Sequence, residues 1–356
     1  MTTLTTPRSS ISPGLSRHRS IGRAIQTTWI QRRAALLSFA FIFAAIVTAI
    51  AVCQIYTHAS YASYVNHGCV ARPINHVPCG DLDNTLQNMN DVFGGLLIVL
   101  GVLPILVGAF VGAPLMSNEL ESGTFRFTWT QEMGRTRYFL TTFGVLALFF
   151  TIITFVIGIL FGNWYAHPFE VTGADSHWQA GLFDTTGWML AAWSLFALAC
   201  GSFLGAITKR TVSAIAATTF VVCGLLGAAY GVLPRLLKLW TLSSSKIPAS
   251  GLNYGSLNGD QLVAGLNGRW VVGGYLTGPK GQVLNSVSAN NIFGRALSSN
   301  RGSVGAARWL SNHHYTLWAT YQPSSHFWVF QSVEVVVVLG LAALLIWGTV
   351  RRIGRS

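Results

Sequence analysis

The sequence predicts an all-α polytopic membrane protein with six transmembrane helices. Its composition is 51% hydrophobic and only 10% charged over 356 residues, which an ordinary soluble domain does not match. Six apolar segments reach the roughly 20 residues that a helix rising about 1.5 Å per residue needs to cross a bilayer. They are Ala34–Tyr56, Val92–Met116, Phe139–Trp164, Gly187–Ile207, Val212–Leu233 and Phe327–Val350, and none contains Lys or Arg.

Basic residues set the expected orientation. Arg17, Arg19, Arg23, Arg32 and Arg33 precede the first segment, and Arg126, Arg135 and Arg137 follow the second. Lys209 and Arg210 follow the fourth, and Arg351, Arg352 and Arg355 follow the sixth. Six crossings put all of these on one side, which the positive-inside rule makes the cytoplasm, together with both termini. The opposite short loops carry Arg72 against Asp81, Asp83 and Asp91, then Glu170, Asp175 and Asp184 with no basic residue. The net charge of +12 is shared between the membrane-flanking loops, where anionic head groups are the natural partner and nucleic acid is not, and the exterior segment Pro234–Ser325, which is also basic and as a long loop escapes the inside rule.

Residues 1–21 are rich in Ser, Thr, Pro and Arg and are expected to be a disordered basic tail rather than a signal peptide, since the first apolar run begins only at Ala34. Residues 22–33, GRAIQTTWIQRR, place Ile25, Trp29 and Ile30 at helical spacing. Two forms fit this pattern: an amphipathic helix in the inner interface that turns into the first span, or a plain extension of that span.

Residues 34–233 hold spans one to five, and 327–350 hold the sixth, followed by a short tail at 351–356. Small residues recur every fourth position at Gly108 and Gly112, Gly201 and Gly205, and Gly227 and Gly231, a spacing that lets helices approach closely in one bundle or across a dimer. Pro104 and Pro114 mark a kink or unwinding in the second span. Residues 234–326 form the one large extracytoplasmic region. It is rich in Gly and Asn, with β-prone runs at Trp270–Val272 and Gly273–Leu276, and PRLLKLW before them reads as a helix on the outer leaflet.

Cys53, Cys200 and Cys223 lie within spans and read as small buried hydrophobes. Cys69 and Cys79 share the first exterior loop, HGCVARPINHVPCG, where an oxidising compartment permits a disulfide. His67 and His76 beside them lack zinc-site spacing, and His313, His314 and His326 read as interfacial, so no metal is assigned. No GxxxxGK[ST] occurs, so the chain cradles no nucleotide phosphates of its own, and no catalytic constellation or cofactor site is evident.

Two polar features interrupt the apolar pattern. Gln331 and Glu334 lie three residues apart on one face of the sixth span. A carboxyl at membrane depth costs roughly 2.5–3.5 kcal/mol or more, so Glu334 must face protein or a water-filled path. The pair marks either a translocation path or dimer contact, or an inter-helix hydrogen bond holding the last span in place. The second feature is the charged segment 117–138 between spans two and three. It carries Glu119, Glu121, Gly123, Thr124, Arg126, Arg135 and Arg137, with Phe125, Phe127 and Trp129 interleaved. That mixture of charge and aromatic surface suits a docking element; an aromatic belt among the head groups is the simpler alternative.

With GAPLMSNELESGTFRFTWTQEMGRTRYF after the second span, FDTTGWMLAAWSLFALACGSFLGAITKRT through the fourth and YQPSSHFWVFQSVE leading into the sixth, the chain resembles the ABC-2 type permease subunits of ABC exporters. The resemblance implies a type V exporter-like six-helix subunit that pairs with a second permease subunit, identical or not. It further implies two separate ABC ATP-binding subunits on the cytoplasmic side, which hold the ATP and Mg. By the same resemblance Glu119, Glu121, Gly123, Thr124, Arg126 and Arg135 fall in the segment that meets the ATPase, and 22–33 corresponds to the connecting helix. His326 stands where the family pattern has Arg, so no charge-based role is carried over to it.

Overall fold

The computed structural model describes residues 13–69, 77–121, 135–165, 180–237, 243–246, 270–299, 309–322 and 326–355. Its elements run α1 (Pro13–Asn66), α2 (Val77–Val107), a π-helical turn (Gly108–Gly112), α3 (Ala113–Glu121), α4 (Arg135–Tyr165), α5 (Ala180–Thr185), α6 (Trp188–Thr208) and α7 (Thr211–Leu237). There follow β1 (Ser243–Lys246), β2 (Trp270–Thr277), α8 (Ser286–Ser299), β3 (Thr316–Gln322) and α9 (Phe327–Arg355). Among the described residues six helices are long and apolar enough to cross a membrane: Leu36–Asn66, Cys79–Glu121, Thr136–Trp164, Trp188–Thr208, Thr211–Ala229 and Phe327–Gly354. The protein is an all-α multi-pass membrane protein with a small sheet inserted before its last span.

α1 is unbroken from Pro13 to Asn66. The stretch Gly22–Arg33 therefore continues straight into the first span, and residues 13–21 belong to the same helix instead of a disordered tail. No Gly or Pro occurs between residues 23 and 66 to break the backbone ladder. Residues 1–12 lie outside the described residues. At the far end of this helix Cys69 is disulfide-bonded to Cys79, joining spans one and two.

The fourth span, α6, is the axis of the bundle. Its most apolar window is 78% buried, against 17–50% for the other five spans. Close approach of the second span makes this possible. A Cβ built on Gly108 would lie 2.7 Å from the Ala197 carbonyl oxygen, and one on Gly112 2.6 Å from that of Leu198. Gly201 and Gly205 face Gly108 and Ala113 in return, so these two glycine pairs pack against each other within one bundle. Gly227 meets open space and takes no part. The backbone stays α-helical through Pro104 and widens four residues later into the π-turn Gly108–Gly112, the point of closest contact.

Aromatic packing joins the outer spans. Phe93 stacks on Phe161 at 4.4 Å, and the Trp164 indole N–H donates to Thr57 Oγ1 at 3.0 Å. Cys200 is buried as expected, but Cys223 is exposed, on the outward side of α7 beside Phe220. Such apolar outer surface carries no penalty where lipid replaces water.

The sheet has the order β1-β3-β2, all antiparallel, with the last strand in the chain at its centre. The two β-prone runs merge into one strand with an irregularity between Val271 and Gly273. Pro234–Leu237 prolongs α7 and does not begin a separate helix; residues 238–240 lie outside the described residues.

Candidate functional site

Two polar clusters interrupt the bundle, one at each end of the fourth span. The first joins α3 to the head of α7. Glu121 accepts from the backbone N–H of Thr211 at 2.9 Å, and the Thr211 hydroxyl lies 2.7 Å from the same Glu121 Oε2 and 2.8 Å from Asn118 Oδ1. A hydroxyl has one proton, and the charged acceptor is the stronger partner. Ser117 completes the knot, its hydroxyl lying 2.9 Å from the Ala113 carbonyl oxygen and 3.2 Å from Thr211 Oγ1. The N–H of Thr211 is one of the orphan donors at a helix start, so Glu121 caps α7 from another helix. Lys209 makes the turn before it possible by adopting a left-handed backbone at φ 54°.

Of the charged segment read from sequence, Glu119 receives the Tyr138 hydroxyl at 3.3 Å, Arg135 begins α4, and Arg137 is half-buried beside Tyr138. Gly123, Thr124, Arg126, Phe125, Phe127 and Trp129 lie outside the described residues. Sequence reasoning missed Thr211, Asn118 and Ser117, because nothing in their spacing announces that a span ninety residues away will meet them.

The second cluster lies where a break in the chain precedes α6. Gly187 there has φ 58° and ψ −129°, a backbone region open to glycine. Its carbonyl presses on the third span, where a Cβ on Gly158 would come within 2.6 Å of it, and Thr186 packs over Gly162. From the sixth span, Gln331 donates through Nε2 to the carbonyls of Phe183 at 3.3 Å and Thr186 at 3.2 Å, and the Thr186 carbonyl also accepts from the Met189 backbone N–H at 3.3 Å. Gln331 is thus a tie between the last span and the break.

Glu334 lies one turn further along α9, buried, and within hydrogen-bonding reach of Asp184 from α5. Trp193 of α6 points its indole at the same carboxyl. Burial, and then the neighbouring Glu334 carboxyl, push Asp184 well above the usual carboxylate range. Asp184 Oδ1, Thr186 Oγ1, Trp193 Nε1, Gln331 Oε1 and Glu334 Oε2 are all buried without a well-formed hydrogen bond. Sequence reasoning treated Glu334 as a lone carboxyl. The signal for its partner was present: Asp184 in FDTTGW, an acid a few residues before a span with no basic residue. Among the described residues no group of three or more His, Cys, Asp or Glu side chains is placed to hold a metal ion.

A family model described as ABC-2 membrane transporter related matches residues 40–233, more than half of the chain, covering spans one to five and both clusters except the contribution of α9. The chain belongs to the ABC-2 membrane transporter related family. It is accordingly a multi-pass membrane permease of the ABC transporter type. No curated protein and no solved structure matches it. Among the described residues the Glu121–Thr211 joint and the Asp184–Glu334 pair are two of the places where polar side chains tie one span to another segment of the bundle.

Proposed function

We propose that this chain is the membrane-spanning permease subunit of an ATP-driven exporter, moving a hydrophobic or amphipathic substrate such as a drug, an antibiotic or a lipid-like molecule across the cell membrane. A separate ABC ATP-binding subunit on the cytoplasmic side supplies ATP hydrolysis, and a second permease subunit completes the transporter. ATP and Mg reside in the partner, since this sequence carries no P-loop. The basic flanks support a cytoplasmic position for both termini and for the segment after α3.

The observation that carries the reading is the joint at Thr211. Glu121 belongs to the charged segment 117–138 and also holds the head of the fifth span. A displacement of that segment by a closing ATPase dimer would act on α3 and α7 together. This is the rigid-body type of coupling, in which a small shift at a contact is passed on through packed helices. Glu121 then transmits motion within the subunit, while Arg126 and the aromatics meet the partner.

The test is purification of the chain from its native membrane, followed by ATPase assay of the complex. A P-loop ATPase should co-purify, Arg126→Glu should reduce its recovery, and Glu121→Lys should preserve recovery but lower hydrolysis. Unchanged assembly and unchanged hydrolysis in both variants would falsify the coupling role. The buried acid pair favours a second reading, a stand-alone ion-coupled permease, because Glu334 is not an isolated carboxyl. That reading requires transport in sealed vesicles without ATP.

A further inference from the structure

We propose that Asp184 and Glu334 form a single proton-binding site, with a proton held between their carboxyl groups locking the sixth span to the break before the fourth. The inference does not depend on which energy source drives the permease.

The argument starts from what surrounds the two acids. On α9 the neighbours are Gln331 and, two turns toward the helix start, His326; on α6 Trp193 is the polar neighbour and Cys200 the next titratable group, two turns away. α5 contributes Asp184 alone. α4 presents Gly158 and Gly162 to the break, with Arg137 and Tyr138 at its opposite end. α2, against which Gly181 packs through Leu97, carries Asp81 and Asp91, both exposed, and Cys223 of α7 is exposed as well. Among the described residues no Lys, Arg or His acts on either carboxyl.

Two carboxylates in hydrogen-bonding reach, buried and without a cation, cannot both be ionised. One must keep its proton, and its O–H then donates to the other. The acid O–H becomes the donor that an ionised pair lacks, and the single remaining charge is met by the Trp193 indole edge. Loss of the proton to water would leave two like charges facing each other across the contact between α5 and α9 and would drive these elements apart. Gln331 and the Phe183–Phe327 ring contact would then hold the last span to this region. The polar atoms of the site are buried.

Infrared difference spectroscopy on the full chain in lipid nanodiscs tests this directly. At neutral pH the unaltered protein should show the carbonyl stretch of a protonated, buried carboxylic acid. That band should shift on selective carbon-13 labelling of aspartate or of glutamate, a measurement that needs no variant, and should disappear in the Asp184→Asn/Glu334→Gln protein. Absence of the band at neutral pH, or its survival in the double variant, would overturn the proposal. So would a sodium-dependent change of carboxylate bands in its place, which would make the site one for a metal cation.

Discussion

Glu121 and Thr211, ninety positions apart, share two contacts: the carboxylate takes the Thr211 backbone N–H at 2.9 Å and lies 2.7 Å from its hydroxyl. A helix end is thereby capped by a side chain from a different helix, at the point where the chain leaves the second span. Thr211→Val removes the hydroxyl but keeps the shape and the N–H contact. It should cost about 1 kcal/mol of stability in the intact chain and lower partner-stimulated ATP hydrolysis more than it lowers partner binding. Equal losses in both measurements would count against a transmitting role.

Gly112 is a steric prediction. A methyl group there would meet the Leu198 carbonyl at 2.6 Å, so Gly112→Ala should destabilise the bundle by about 1–3 kcal/mol through overpacking. Gly227→Ala is the control, because its Cβ meets nothing within 4 Å. Melting of both variants in the same detergent decides the matter; equal melting temperatures would refute the close contact.

Gln331 ties the last span to the carbonyls of Phe183 and Thr186. Gln331→Leu keeps the volume and removes both hydrogen bonds, at a cost of about 1–3 kcal/mol. Faster backbone hydrogen exchange confined to residues 183–189 and the start of α9 should accompany it. Uniform acceleration along the chain would instead indicate general unfolding.

The Cys69–Cys79 bridge closes a short loop between spans one and two. Chain-entropy arguments give about 2–4 kcal/mol for such a cross-link. Replacing both cysteines by serine should lower the melting temperature, and a reducing agent should lower that of the unaltered chain by the same amount while leaving the variant unchanged.

The raised Asp184 also predicts a pH slope. The folded chain holds this proton more tightly than the unfolded chain does, so the contribution is complete below the ordinary aspartate value of about 4. It is lost as pH rises through the elevated folded value. Thermal stability should therefore fall with rising pH, and Asp184→Asn should flatten that fall. A slope unaffected by the substitution would assign the titration to another group.

The six spans were legible because a bilayer imposes one simple requirement, a long apolar helix, and the chain meets it without ambiguity. The glycine pairs announced close contact, but only the structure chose their partners: a four-residue period states that a face is narrow, not what lies against it. Gln331 and Glu334 stood out because polar groups at membrane depth are costly. Asp184 and Thr211 did not stand out, because each lies just outside a span, where polar residues are ordinary. Their significance comes from tertiary proximity. The continuous α1 was one of the two forms read from Gly22–Arg33, and helix propensity across residues 23–66, which hold no Gly or Pro, favoured it.

The π-turn at Gly108–Gly112 has a consequence for the length of the second span. A widened turn accommodates one surplus residue without altering the angular phase of the helix beyond it. Removal of Phe110, which points out of the bundle, should let that turn contract to an ordinary α-helix while Ser117, Asn118 and Glu121 still arrive opposite Thr211. The same deletion a few turns away would swing those side chains aside by about 100°. In this helix, the π-turn is a gauge of how much length the span can lose without losing its aim.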